Sequence, residues 1–270
     1  MRFDYYASTI RDTPDRVISS LADRLGASVT MGHGLNSYEN SNELRVGREV
    51  VGRVLHGGVN PFPHAFASGQ HTDAFVPVVR ELWPDRHQVS RADVAEDFDQ
   101  ADAWDLLLRE CLAMAEDRSL AIDQQGDWIR GEAGRTFYAG GRKSASRVRL
   151  YEKGKQLRGL VSTPQEAEEI SAGWVRLELQ VRPQKEGKRA AASACPQELW
   201  GYSKWTKELA VRCLEIDVDR FQMNPWREGS TDVKAWGFML RQWGPLMRRM
   251  EERAGSWEAF SETLRRGLHG

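Results

Sequence analysis

The order of elements along this chain of 270 residues predicts an α+β fold, a mainly antiparallel sheet followed by a helical C-terminal segment. Three observations carry that expectation. Strand-like and helical runs follow one another irregularly, without the strand–helix alternation that builds a parallel sheet. The candidate strands are short and punctuated by Gly, Asn and Pro, as antiparallel connections are. From Cys195 onward helical periodicity dominates.

"MRFDYYASTI" reads as a strand. The next stretch, "TPDRVISSLADRLGA", reads as a helix with Thr13 as cap, Pro14 at its first position, an apolar face of Val17, Ile18, Leu21 and Leu25, and Gly26 as stop. "NELRVG", "EVVGRVLHGG" and "PHAFASG" are candidate strands, and "HTDAFVPVVRELWP" is a helix capped by Thr72. "HQVSRADVAEDFD" is a strand, and "ADAWDLLLRECLAMAEDRS" is an amphipathic helix with Trp104, Leu107, Leu108, Cys111 and Leu112 on one face. Further strands are expected in "GDWIRG", "GRTFYAGGRKS", "RVRLYEKG" and "GWVRLELQVRP". Helices are expected in "CPQELWGYSKWTKELAVRCLEI", "STDVKAWGFMLRQWGPLMRRMEERA" and "SWEAFSETLRRGL". The helical run places Trp236, Met239, Leu240, Trp243 and Leu246 at the spacing of a core or helix–helix interface.

Composition narrows the class. Hydrophobic residues make up 40% and charged residues 29%, as in a folded soluble domain. The formal net charge is -1, so any polyanion signal has to be local. Cys111, Cys195 and Cys213 have neither the spacing of a zinc site nor that of a disulfide framework, which fits a reducing cytoplasm. The N-terminus is charged throughout, with no apolar signal-peptide core, and no apolar run approaches the ~20 residues of a membrane helix. A cytoplasmic protein is the expectation.

Period-two alternation sorts the polar residues of three strands onto single faces. Arg91, Asp93 and Ala95 share one strand face; Arg149, Tyr151 and Lys153 share another; Arg176, Glu178, Gln180 and Arg182 share a third. Each strand repeats Arg-x-(polar reactive group). Taken singly, each is a solvated face whose ion pairs contribute ~0–1 kcal/mol, and Tyr151 is a strand tyrosine whose hydroxyl meets solvent. If the strands are neighbours, one face gathers two carboxylates, a phenol and several arginines. Paired carboxylates suit Mg²⁺ or Mn²⁺, which want oxygen ligands and leave room for a substrate phosphate. A metal and flanking cations favour the phenolate of Tyr151, which can attack a phosphodiester in line. Local charge agrees. Between Gly134 and Arg158 lie eight basic residues (Arg135, Arg142, Lys143, Arg147, Arg149, Lys153, Lys155 and Arg158) and one acid, Glu152, with Phe137 and Tyr138 interleaved. Such a stretch is the footprint of a polyanion partner. "YAGGRKS" lacks the P-loop pattern and reads as a glycine hairpin.

"RTFYAGGRKSASRVRLYEKGKQL", preceded by "VSRADVAEDF" and followed by "WVRLELQVRP", resembles the replication initiation factor family, the rolling-circle Rep proteins of filamentous phages and small plasmids. The resemblance runs from about Tyr5 to about Trp205 and is most specific from Thr136 to Lys153. It implies a catalytic domain over residues 1–205, a helical segment over 206–270, and a sheet of RRM-like or ferredoxin-like character. The repeated Arg-x-acid pairs hint at a duplication. The resemblance also implies a metal-dependent nickase and strand transferase that cuts one strand at a double-strand origin, stays on the 5′ phosphate and leaves a 3′-OH primer. Tyr151 then matches the nucleophile, with Arg149 and Lys153 steadying the scissile phosphate. Asp93 and Glu178 match the metal ligands, and Glu152 is a further ligand if a bulge turns it inward. Arg135, Tyr138, Arg142, Lys143, Arg147, Lys155 and Arg176 are the expected DNA contacts. The six histidines include no histidine-hydrophobe-histidine triplet, so the carboxylate-metal branch is the one implied.

Two other readings stay open at this point. One is a non-catalytic origin-binding protein or repressor; the other is a metal-dependent nuclease that uses water and forms no covalent intermediate. Origin DNA is the expected partner, with a host helicase and a second copy of the chain as candidate protein partners.

Overall fold

The structure, a computed structural model, describes residues 1–219 and 247–269. The chain divides into two compact units, Met1–Asn224 and Pro225–Gly270. The first is built on one sheet whose strands are β1 (Arg2–Ile10), β2 (Ser28–His33), β3 (Asn40–Val46), β4 (Glu49–His56), β5 (His64–Ser68), β6 (His87–Asp99), β7 (Ile122–Gly126), β8 (Arg135–Ala139), β9 (Ser146–Tyr151) and β10 (Trp174–Val181). Its order is β2-β3-β4-β5-β1-β6-β10-β9-β8-β7, and every pairing in it is antiparallel. The α+β class with an antiparallel sheet is therefore present.

The strand order is a palindrome about the β1–β6 seam. In the first half β1 leads through α1 (Pro14–Leu25) to the sheet edge, and a meander β2-β3-β4-β5 walks back to β1. In the second, β6 leads through α3 (Ala103–Asp117) to the opposite edge, and β7-β8-β9-β10 walks back to β6. Each half also ends in a helix, α2 (Thr72–Leu82) and α6 (Gly187–Ser193). The chain is duplicated in topology, but the Arg-x-acid pairs that hint at a duplication do not mark it, since all three lie on β6, β9 and β10 of the second half.

One sheet face makes the core. Tyr6, Val54, Val94, Phe137, Leu150, Leu177 and Leu179 meet Val17, Leu21, Phe75, Leu107 and Met114 from the helices, all buried. Thr72, expected as a cap, is the first residue of α2; its hydroxyl donates to Phe3 O at 2.7 Å and to Gly69 O at 2.8 Å, tying helix to strand. The hairpin reading of "YAGGRKS" holds: Gly140, at φ +94°, turns the chain from β8 to β9.

Several elements differ from expectation. "GDWIRG" is not a strand; Gly126 ends β7, and the Asp127 carboxylate accepts from the backbone N–H of Arg130 and Glu132 at 2.9 and 3.0 Å to form a turn. The two sheet edges, β2 and β7, escaped the reading because both are largely exposed and so carry no alternating pattern. "CPQELWGYSKWTKELAVRCLEI" splits into a 3-10 turn (Glu198–Tyr202) and α7 (Lys204–Leu214), where Ser203 and Thr206 form a capping box. "SWEAFSETLRRGL" is helical within Trp257–His269, whereas the stretch carrying Trp236 to Leu246 lies outside the described residues.

The largest local difference adjoins Tyr151. β9 stops there, and Lys153 opens a short helix, α4 (Lys153–Arg158), followed by α5 (Pro164–Glu169). Gly154 permits it, since a Cβ at that position would lie 1.8 Å from Ser171 O. A Gly154→Ala substitution is expected to cost roughly 1–3 kcal/mol through overpacking against backbone, read as a lowered denaturant midpoint.

Candidate functional site

The face of β6, β10, β9 and β8 opposite the core carries the polar residues in rungs set by strand register. Asp97, Arg176, Tyr151 and Thr136 form one rung; Glu178, Arg149 and Tyr138 form the next; Asp93, Gln180 and Arg147 form the third. The structure therefore places the three Arg-x-(reactive group) strands side by side, with β10 between the other two.

In the first rung Arg176 is buried and fully engaged. Its Nε and Nη2 donate to Asp97 at 2.7 and 2.8 Å, and its Nη1 donates to Asp4 at 2.8 Å. Burial works to raise the Asp97 pKa, but hydrogen bonds from Arg176 and Trp174 outweigh it and hold the carboxyl below its ordinary range. Tyr151 is 3% exposed. The Arg149 guanidinium covers its ring at 3.9 Å, and Lys153 Nζ stands 5.6 Å from the ring centre. Although Lys153 has left the strand, it remains beside the tyrosine. Burial, and then the Glu178 charge, push the phenol up to about 12 against the opposing pull of Arg176 and Arg149.

The two carboxylates expected to act together are both buried. Burial, and then repulsion from Asp93, push Glu178 up to about 7; Arg149 Nη1 lies 3.9 Å from its Oε2. Burial also raises Asp93, while Arg91 opposes it with Nε donating to the two carboxylate oxygens at 2.9 and 3.1 Å and Nη2 donating to Oδ2. Such a pair of buried like charges is what a divalent cation relieves. Two protein carboxylates, with the remaining positions left to water and phosphate, suit Mg²⁺. Among the described residues no group of three or more His, Cys, Asp or Glu is placed to hold a metal.

Glu152 stands apart from this pair. Strand alternation returns it to the helix side of the sheet, where its carboxylate accepts from Arg135 N at 2.8 Å and Arg135 Nη2 at 2.9 Å and pairs with Lys155 Nζ at 2.8 Å. Burial works against the charged form, but Arg135 and Lys155 win and hold Glu152 low. Arg135 in turn stacks on Trp104 at 4.5 Å. Of the expected DNA contacts, Arg135, Lys155 and Arg176 are thus occupied by carboxylates. Arg142 and Lys143 are exposed on the β8–β9 turn, Arg147 stacks on Tyr138 at 3.8 Å, and Asp123 pairs with both Arg142 and Arg147.

Beyond Glu178 the face opens into a concavity of about 250 Å³ lined by Arg91, Tyr138, Arg147, Arg149, Gln180 and Arg182, with Glu178 in its wall. The Nε atoms of Arg147 and Arg149 and Oε1 of Gln180 are buried there without a hydrogen-bond partner. Arg182, Gln180, Asp4 and Asp97 were not among the expected site residues. Extending the β6 alternation by two positions reaches Asp97, whereas Asp4 lies at the irregular register of β1 against β6 and leaves no periodic signal.

The sheet face of this antiparallel α+β protein thus sets guanidinium groups around two buried carboxylates and a phenol. Residues 87–259 match the replication initiation factor family, and the chain belongs to it. Among solved structures, a rolling circle replication initiator protein from Geobacillus stearothermophilus is similar in fold, with a TM-score of 0.51 and 16% identity, covering 74% of this chain and 82% of that one. No curated protein matches the chain.

Proposed function

We propose that this replication initiation factor is a rolling-circle nickase and strand transferase with Tyr151 as nucleophile, acting on origin DNA in a bacterial cytoplasm. The observation that carries the reading is the convergence of Tyr151, Glu178, Asp93 and Arg149 on adjoining rungs of one sheet face. Asp93 and Glu178 would hold Mg²⁺ or Mn²⁺, which supplies charge neutralisation at the scissile phosphate and the leaving oxygen. Arg149 and Lys153, both long and only partly buried, cover the phenol. A phosphate drawn to these two cations would lift them from the ring and bring phosphorus to Tyr151 Oη. The phenol loses its proton, Oη bonds to phosphorus, and the P–O3′ bond breaks in line. The leaving 3′ oxygen takes up a proton, so the products are a 5′-phosphotyrosyl link and a 3′-hydroxyl, and no water is consumed. Arg176 acts as a positioning residue, locked by Asp97 and Asp4 beside the phenol.

The test uses single strands tiled over the DNA around the gene, each 5′- or 3′-labelled, incubated with protein and Mg²⁺ or Mn²⁺ and denatured in detergent. A covalent adduct that retains the 3′ label, with its modified peptide containing Tyr151, is expected. Cleavage without any adduct would instead establish the water-using nuclease, and binding without cleavage the repressor.

A further inference from the structure

The face that carries the catalytic rungs does not end at β6. Across the seam, Tyr5 of β1 pairs in register with Asp93, and the Arg91 guanidinium lies over the Tyr5 ring at 4.5 Å. From Tyr5 a line of rings continues: Phe66 stacks on it at 5.8 Å and 30°, His64 follows Phe66 at 6.2 Å, and Tyr38 stacks on His64 at 6.0 Å and 17°. Arg53 pairs in register with Phe66. All four rings are half-buried, and none belongs to the core, which the opposite face supplies with Tyr6, Ala65 and Ala67. Single aromatic residues are common on strands, but a contiguous file of partly exposed rings on the face away from the core is the informative case. His64 is pushed down to about 4 by burial and then by Lys188, so this ring too is uncharged at neutral pH. None of these four residues falls within the stretch, 87–259, that matches the family.

We infer that Tyr5, Phe66 and His64 form a stacking platform for the unpaired bases of a single DNA strand whose phosphates cross the arginine concavity. The inference rests on the reading that the adjoining rungs handle a DNA strand. Two observations favour this occupant. The strip is continuous with the concavity, because Arg91 both lines that concavity and stacks on Tyr5. The concavity holds buried guanidinium nitrogens with no partner, which phosphate oxygens would satisfy. A cationic groove beside aromatic rings is how proteins hold single strands with little regard to sequence.

The test is binding of a fluorescent oligothymidylate of about 12 residues, a length within the usual range of single-strand sites. It is measured by anisotropy at several salt concentrations in EDTA, so that no cleavage occurs. Phe66→Leu and Tyr5→Leu are each expected to weaken binding by roughly 5- to 100-fold without changing the salt slope, and Phe66→Tyr to restore it. Arg147→Gln is expected instead to lower the slope by about one. An abasic strand of the same length is expected to bind wild type and Phe66→Leu alike. Unchanged thymidylate affinity in folded Phe66→Leu and Tyr5→Leu overturns the platform. If the variants do not fold, equal wild-type affinity for the abasic and thymidylate strands overturns it. Because binding is read without chemistry, a failed adduct assay leaves this result standing, and a positive adduct assay does not rescue it.

Discussion

Tyr151→Phe is expected to abolish the covalent protein–DNA adduct and to lower nicking by roughly 10³-fold or more, as loss of a covalent nucleophile does. The substitution removes one oxygen from a ring covered by Arg149, so the fold is expected to be kept and DNA affinity in EDTA to stay within about twofold of wild type, less than one hydrogen bond's worth. Tyr138→Phe is the informative partner. Tyr138 lies opposite Arg149 on β8 and lines the same concavity, yet it is expected to keep the adduct. An adduct lost in Tyr138→Phe and kept in Tyr151→Phe would move the nucleophile one strand over and sink the assignment. Adduct formed by both would mean that neither Tyr151 nor Tyr138 is the required nucleophile.

The second large effect concerns Glu178. Its carboxyl has an ordinary value of 4.5 and is pushed up to about 7 in the folded protein. Below the ordinary value, folded and unfolded chains are both protonated and the stabilising contribution is whole. As pH rises between the two values, the unfolded chain ionises first and stability falls. Above about 7 the loss is complete. At 1.36 kcal/mol per unit this is a loss of about 3 kcal/mol, and Asp93, also raised, adds to it in the same direction. In EDTA, wild type is therefore expected to have a lower denaturant midpoint at about pH 8 than at about pH 5. Glu178→Gln should flatten that difference and be the more stable protein at the higher pH. Addition of Mg²⁺ should then raise the midpoint of wild type there and leave Glu178→Gln unmoved. An undiminished pH slope in the variant would mean that the buried charge is carried elsewhere. A Mg²⁺ response in the variant equal to that of wild type would mean that Glu178 holds no metal.

What could be read from the sequence follows from what alternation encodes. β6, β9 and β10 are packed by core on one side and hold charges on the other, so period two separated Asp93, Tyr151 and Glu178 from Val94, Leu150 and Leu177 correctly. Alternation also sent Glu152 to the far face, where it is found. Which strands adjoin is a matter of long-range pairing, and residue patterns carry no record of it; only the structure shows β10 lying between β6 and β9. Partner choice was equally hidden. Arg176 and Arg135 read as free cations because Asp97 and Glu152, which occupy them, lie on other strands or beyond a strand end. Lys153 was read as strand because nothing in "YEKG" announces that Gly154 must tuck against Ser171 O.

The palindromic strand order has a consequence for how such a chain can be cut and inherited. Its halves meet through β1 and β6, and the covalent connection between them is only the exposed stretch Pro84, Asp85 and Arg86. Severing that stretch would leave both the seam and the shared core intact, so residues 1–84 and 85–270 produced as separate polypeptides are expected to find each other. Tyr151, Asp93 and Glu178 all sit on the second half, whereas Tyr5, Phe66 and His64 sit on the first.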